Sequence, residues 1–326
     1  MSLDKERKRL SSMKKKKITI GTRGSKLALW QANWVKEQIS ALYPDIDVLL
    51  KEIKTTGDKI LDTALAKVGG KGLFVKEIEE SLLRKESDIA VHSMKDVPVF
   101  LPKELTINVI CKREDPTDAF VSRQEHIQTI NALPKGANIG TSSLRRQCQL
   151  LNIRDDLNIT LLRGNIDTRL RKLDERQYDA IIAASAGLKR IGLSHRITQT
   201  LPIEIMTPAV GQGAIGIECR IDDSTVKEII AHLNDRETQI CVEAERAYLK
   251  RLEGGCQVPI GAYAQINSGA DLIEIIGIVG DINGKTIIKA NITGPSNRAT
   301  ELGLELANEI LSKGAKEILS EVYKQQ

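Results

Sequence analysis

Apolar positions in the first half of the chain switch between short β-branched runs and stretches with a helical repeat. Residues 18–22 read as a strand. Residues 26–42 carry Leu27, Leu29, Trp30, Trp34 and Ile39 at helical spacing and stop before Pro44. A strand over 46–53, a helix over 73–84 and a strand over 88–91 follow, a βαβαβ order that predicts a parallel sheet covered by helices. The same grammar restarts after Pro116: strands over 119–122 and 138–140, a helix over 144–152, a strand over 157–162, a helix over 166–175 and a strand over 180–184. Pro202, Pro208 and the glycines of PAVGQGAIGIE then mark a crossover, and residues 214–219 read as a buried strand returning to the first sheet.

From Glu237 the pattern changes. A long amphipathic helix carries Ile240, Ala244, Ala247, Tyr248 and Leu252 and stops at Gly254-Gly255. Strands over 262–267, 272–279 and 286–293 and a helix over 298–312 predict a small antiparallel sheet, with a turn at Asn283-Gly284. The expected fold class is α/β: two doubly wound lobes joined by two crossovers into a hinged cleft, plus a small α+β domain at the C-terminus. The expected division is a basic disordered tail over 1–17, domain 1 over 18–113 and 213–232, domain 2 over 114–212, and domain 3 over 233–326.

Composition narrows the function. The chain of 326 residues is 41% hydrophobic and 28% charged, as in ordinary soluble proteins. No apolar run reaches the roughly 18–20 residues of a membrane helix, and MSLDKERKRL is too charged for a signal peptide. The net charge of +5 suggests nucleic acid until it is divided along the chain: residues 1–17 hold eight Lys/Arg against two Asp/Glu, leaving 40 against 41 in the rest. With an aromatic content of 3%, a base-stacking platform is also disfavoured, so no nucleic-acid partner is expected. Five scattered cysteines without a CxxC pair argue against a zinc ribbon and a disulfide framework and for a reducing compartment, hence a cytoplasmic location. The histidines at 92, 126, 195 and 232 are scattered too, so no metal is expected.

Candidate chemistry gathers at strand ends. Arg23, Arg145, Arg146, Arg163 and Arg169 all follow strands, where ligand crevices of open α/β sheets lie, and Ser25, Thr141, Ser142 and Ser143 add donors at helix N-termini. Guanidinium groups suit carboxylate or phosphate, so the ligand is a polyanion. Asp96, in VHSMKDVP with His92, Ser93 and Lys95, sits at the same end of its sheet. A carboxylate in a cationic cleft fits stabilisation of a cationic intermediate; the plainer alternative is a salt bridge to Lys95 or an arginine. GGKG lacks the Walker spacing, and residues 55–72 fit either a lid or an ordinary surface loop. Cys256, in GGCQVP, is either a small buried hydrophobe or, given its glycines, a thiol bonded to something.

The stretches GTRGSKLALWQA, GGKGLFVKEIE, DIAVHSMKDVP, REDPTDAFVS, IGTSSLRRQCQL, LRGNIDTRL, YDAIIAASAGLKRIG, PAVGQGAIGIE and LEGGCQVPIGA, in this order, closely resemble the porphobilinogen deaminase (hydroxymethylbilane synthase) family. The resemblance implies a transferase of haem and tetrapyrrole biosynthesis that joins porphobilinogen units head to tail, releases ammonia and hydrolyses off linear hydroxymethylbilane. It implies a dipyrromethane cofactor held as a thioether by Cys256, with Asp96 catalytic and Ser93, Lys95, Thr141, Ser143, Arg145 and Arg146 contacting the cofactor. Arg23, Ser25, Arg163, Arg169 and Arg190 fall on substrate positions and Lys71 on the lid. It also implies two periplasmic-binding-protein-like lobes and a cofactor-bearing third domain. A monomer acting on a small molecule, without a membrane, is expected. Asp167, an extra acid inside RGNxxTR, is expected to face solvent. A solute-binding protein sharing the cleft, or a nucleic-acid binder using the tail, are the rival readings.

Overall fold

In the computed structural model, which describes residues 15–59, 75–254, 258–267 and 269–324, the two α/β repeats of the sequence become two sheets of the same strand order. In the first, β1 (Lys17–Thr22) lies between β2 (Asp47–Glu52) and β3 (Ile89–Ser93), parallel to both; β10 (Ile215–Arg220) then runs antiparallel to β3 and to the edge strand β4 (Leu105–Ile110). In the second, β6 (Asn138–Gly140) lies between β7 (Asn158–Thr160) and β8 (Ala180–Ala184), parallel to both. There β5 (Asp118–Ser122) runs antiparallel to β8 and to the edge strand β9 (Gln199–Leu201).

The expected parallel sheets are therefore parallel over three strands only. β5 and β10 each arrive through a crossover, 111–117 and 202–214, and run back against the strands beside which they settle. The hydrophobic pattern does not announce β4 or β9. Leu-Thr-Ile-Asn-Val is a weak alternation over few residues after Pro102, and β9 buries Leu201 alone.

Helices cover these sheets where one face is apolar. In α1 (Lys26–Leu42), Ser25 caps the start by accepting from the Ala28 N–H at 3.3 Å, and Ala28, Gln31, Ala32, Val35 and Ile39 form the buried stripe. Full burial of a Val or Ile here contributes about 1.5–3 kcal/mol. The helix ends where Tyr43 N–H bonds the Ile39 carbonyl, just before Pro44. The other helices of the two lobes used below are α2 (Lys76–Leu83), α3 (Leu144–Ile153), α4 (Ile166–Asp174), α5 (Ser185–Arg190) and α6 (Ser224–Ile230).

The folded body begins earlier than expected. Lys17 already opens β1, and Lys15 pairs with Asp88 at 2.8 Å and Asp223 at 3.2 Å, so these two lysines belong to the first lobe and not to a disordered tail. Two carboxylates at one end of the neighbouring inner strands β3 and β10 supply the reason.

The third unit is the antiparallel sheet of β11 (Ile260–Asn267), β12 (Leu272–Gly280) and β13 (Ile287–Pro295), covered by α7 (Arg236–Arg251) and α8 (Ala299–Ile310). Tyr248 is its centre, fully buried with its hydroxyl donating to the Ile278 carbonyl at 3.0 Å. Glu245, one turn earlier on α7, ties this unit to both crossovers. Its carboxylate accepts from Arg113 Nη1 at 2.8 Å, the Gly211 N–H at 2.7 Å and the Ala264 N–H at 2.8 Å. A buried carboxylate with three donors is well compensated, and here it fixes where the two connections cross.

Candidate active site

The ends of β1 and β3 face those of β6 and β8 across a cavity of about 360 Å3. Among the described residues, nine cationic side chains line it, against two carboxylates, Asp96 and Asp167. Such an excess favours a polyanionic occupant.

The second lobe supplies most of the cations. Ser143 caps α3, accepting from Arg146 N–H at 3.4 Å, and this sets Arg145 and Arg146 on the first turn. Both turn inward onto Asp118, the first residue of β5. Arg145 Nη1 donates to Asp118 Oδ2 at 2.8 Å, while Arg146 reaches Oδ1 with Nη2 at 2.7 Å and Nε at 3.1 Å. Asp118 is fully buried; burial pushes its carboxyl up, but the two guanidinium groups outweigh this and hold it well below the usual range. Arg145 Nε has no hydrogen-bond partner among the described residues, so this buried cation keeps a donor to offer.

Arg163 follows β7, and Arg169 sits on α4 with Nε donating to the Gly164 carbonyl at 2.8 Å. Burial, reinforced by the charges of Arg146 and Arg163 and opposed by Asp96, lowers Arg169 to about 10. Burial also lowers Arg163 and Arg190. Arg190, on α5, donates to the Gly213 carbonyl at 2.7 Å and stacks over Trp30 of α1 at 5.8 Å, so it touches both lobes.

The first lobe supplies the acid. β3 runs directly into a 3-10 turn, Met94–Asp96, closed by the Val97 N–H to the Met94 carbonyl at 3.2 Å. Arg246 of α7 clamps the following segment, donating to the Val97 carbonyl at 3.2 Å and the Pro98 carbonyl at 2.7 Å. From behind, Gly211 (φ +71) passes so close that a Cβ there would sit 2.7 Å from the Met94 Cβ, so only glycine fits. Asp96 is thereby exposed to the cavity, with no ion pair or hydrogen bond among the described residues. Beside it Lys95 approaches Gln212 Oε1 at 3.5 Å; burial first, then Arg146, lowers its ammonium to about 8, against the pull of Asp96 and Asp118.

Arg23, Ser25, Ser93, Lys95, Asp96, Ser143, Arg145, Arg146, Arg163, Arg169 and Arg190 thus share one cavity. Thr141 does not line it. It is buried behind the wall, where its hydroxyl accepts from the Ser143 N–H at 3.2 Å. The Asp167 side chain is 44% exposed, so it faces solvent as expected, but it does so from the cavity rim and reaches Lys26 of the other lobe at 3.7 Å, because the first turn of α4 faces the first turn of α1. Cys256 and Lys71 lie outside the described residues. Among those described, no three His, Cys, Asp or Glu side chains are grouped for a metal ion, and no helix is long and apolar enough to cross a membrane.

Reasoning from sequence missed Asp118, Gln212 and Arg246. The only local sign of Asp118 is an acid at the head of an otherwise apolar strand, DAFV. Gln212 Nε2 donates to Asp118 at 3.0 Å and to the Pro116 carbonyl at 2.7 Å, which links the two crossovers.

Comparison with known proteins agrees with this layout. Residues 18–228 match the family model described as porphobilinogen deaminase, dipyromethane cofactor binding domain, and residues 239–312 match the porphobilinogen deaminase C-terminal domain. Among curated relatives, the porphobilinogen deaminase of Pelobacter propionicus is 52% identical over 96% of this chain and 100% of its own length. That of Geobacter metallireducens is 52% identical over 96% and 97%, and that of Geobacter sulfurreducens 52% over 95% and 96%. Similar solved structures include a periplasmic binding protein of Salmonella typhimurium with high arginine specificity (13% identity, TM-score 0.39, 69% of this chain and 94% of that one). Another is a probable extracellular amino-acid-binding protein of Bacillus subtilis (15% identity, TM-score 0.42, 73% and 97%). On the family models and these relatives, the chain belongs to the porphobilinogen deaminase family.

Proposed function

We propose that the cavity between the two sheets is where this transferase joins porphobilinogen units into hydroxymethylbilane, with Asp96 as the catalytic carboxylate. The observation that carries the reading is an acid without an ion-pair partner among the described residues, facing a wall of cations. Each pyrrole unit bears an acetate and a propionate, so a growing chain needs many positive partners. Departure of ammonia leaves an electrophilic methylene with cationic character, and a fixed carboxylate stabilises that charge while accepting pyrrole N–H bonds.

The residues present fit a dipyrromethane. Four carboxylates match the cationic wall, the buried Arg145 Nε has a donor to give, and Val258 and Ile260, shortly after Cys256, line the same cavity. Arg145, Arg146, Lys95, Ser93 and Ser143 would hold those carboxylates, with Thr141 supporting Ser143 from behind, and Cys256 would anchor the group as a thioether. When bound, the group supplies a nucleophilic pyrrole α-carbon, so no activated Ser or Cys is required. Arg23, Ser25, Arg163, Arg169 and Arg190 then receive the carboxylates of incoming units, and Lys71 belongs to a lid.

The same reading takes domain 1 as 18–113 with 213–232, extended at its start by residues 15–17, domain 2 as 114–212 and domain 3 as 233–326. It also takes the chain as a cytoplasmic monomer without a nucleic-acid partner; the near-neutral charge beyond residue 17 supports the last point. Intact-mass spectrometry tests the anchor. The purified chain should be heavier than its sequence by one dipyrromethane and react with Ehrlich's reagent, and Cys256→Ser should lack adduct and activity. An active, unmodified Cys256→Ser protein would remove the assignment.

A further inference from the structure

Behind Asp96 the first lobe holds a second, smaller cavity of about 60 Å3, whose lining includes Arg23, Gln31, His92, Ser93 and Asp96. At about 10–15 Å3 per water it has room for more than one. His92, one residue before Ser93, is 5% exposed, and its Nε2 lies 2.9 Å from Glu218 Oε2. The register explains the meeting: β3 and β10 are antiparallel, Gly216 faces His92 and Glu218 faces Ala90, so His92 and Glu218 are diagonal neighbours on one face. Glu218 is 1% exposed, and its Oε1 has no hydrogen-bond partner among the described residues.

An acid buried in the middle of a sheet is expensive, and nothing in the anion cradle uses this one. Glu79 lies on α2, which packs against both β3 and β10, and is half-buried there. Its carboxyl is pushed up to about 7, by burial first and then by the charge of Glu218, against the opposing influence of His92. Arg220 of β10 donates to the Leu82 and Ser87 carbonyls in and just beyond the far end of α2, and Arg23 and Asp96 share the small cavity's wall with His92.

We propose that His92, Glu218 and Glu79 form a proton relay from the Asp96 cavity to solvent on the flank of the first lobe; this rests on the condensation taking place at Asp96. In each condensation a C–C bond forms between the incoming methylene carbon and a pyrrole α-carbon, and the C–N bond breaks with its electron pair leaving on ammonia. The α-carbon then gives up its proton, and the C–H pair restores the aromatic ring. An amine that enters as ammonium thus leaves as ammonia plus that proton, which recombine in water. Through the main cavity the proton would pass nine cations. Through the small one it meets acceptors. With Nε2–H donating to Glu218, the His92 ring keeps Nδ1 as an acceptor. Protonation there releases the Nε2 proton to Glu218; no direct hydrogen bond joins Glu218 to Glu79 among the described residues, so a water carries the proton from the unpartnered Oε1 to half-buried Glu79, which gives it to solvent.

The test uses the cofactor-loaded enzyme. Infrared titration should show one carboxyl band disappearing near pH 7, absent from Glu79→Gln. The wild-type kcat should rise through the same pH. In Glu79→Gln that limb should vanish, kcat above it should fall about tenfold, and KM should stay within about twofold. Glu218→Gln should behave alike, provided its melting curve matches wild type. A Glu79→Gln enzyme with wild-type kcat and an intact limb overturns the relay. Asp96→Asn run in parallel separates the two failures. Near-normal turnover there removes the reading of Asp96, whereas a large loss there beside an unaltered Glu79→Gln removes the relay alone.

Discussion

The two sheets share one strand order, yet the acid at the centre of the cavity and most of its cations come from opposite lobes. The first lobe offers a carboxylate held by backbone geometry: a 3-10 turn, two carbonyls gripped by Arg246 and a glycine pressed against the turn from behind. The second offers guanidinium groups held by one buried counter-charge, Asp118. Topology places both sets at strand ends but does not choose their sign. Asp96 is placed through its backbone, by hydrogen bonds and by close packing, which leaves its carboxylate without an ion pair among the described residues. Two adjacent arginines repel one another and need an acid between them.

The comparison can be broken most severely at Asp118. Asp118→Asn leaves two buried cations without their counter-charge and should lower the unfolding free energy by about 3–5 kcal/mol, measured by urea denaturation. A change under about 1 kcal/mol would mean that Arg145 and Arg146 hold their places through the Thr207 and Ile182 carbonyls alone. Next comes the acid. Asp96→Asn should lower kcat about 100-fold or more with little change in KM. Arg163→Leu should instead stall elongation, seen in native mass spectra as enzyme-bound partial chains. A raised KM with near-normal kcat in Asp96→Asn would make Asp96 a positioning group.

Lys95 sharpens the contrast through pH. Its ammonium titrates near 8 in the ligand-free cavity, and a bound carboxylate restores the charged form. Binding should therefore take up a proton above pH 8. Succinate affinity for the Cys256→Ser protein should be level below pH 8 and fall by up to about tenfold per pH unit above it. Flat affinity across pH 7–10 would exclude Lys95 from the anion site. The smallest effect belongs to Lys26 and Asp167, which join the lobes at a partly exposed 3.7 Å contact. Asp167→Asn should change stability by no more than about 1 kcal/mol and leave substrate KM within about twofold, because an exposed pair is screened by solvent. A markedly lowered KM would show that Asp167 opposes substrate carboxylates.

Much of this contrast is written locally. The periodicity of α1 and the placement of Arg23, Arg145, Arg163 and Asp96 just after strands are properties of short stretches, and they identify both the fold class and the cavity. What escapes is set by distant pairing. Asp118 meets its arginines 27 and 28 positions away. Arg246 reaches back 148 positions to a carbonyl, which no side-chain pattern encodes. The return of β10 to the first sheet was legible, but the antiparallel direction of β5 and β10 was not, since it is set by pairing with strands distant in the chain. The rim position of Asp167 was not legible because facing open solvent and facing a solvent-exposed cavity rim leave the same polar mark on a helix.

The strand exchange also sets an order of assembly on the ribosome. All five strands of the second sheet lie within residues 118–201 and can pair as soon as that stretch has emerged. The first sheet cannot close then: among the described strands β4 pairs only with β10, which ends at Arg220, so it waits without a strand partner while the intervening lobe is made. The nascent chain therefore carries an open edge beside β3 for about a hundred residues of synthesis, several seconds at least at about 5–20 residues per second. During that interval the acid-bearing turn after β3 lacks the glycine crossover behind it, and the half of the cavity that holds Asp96 is the last to take shape.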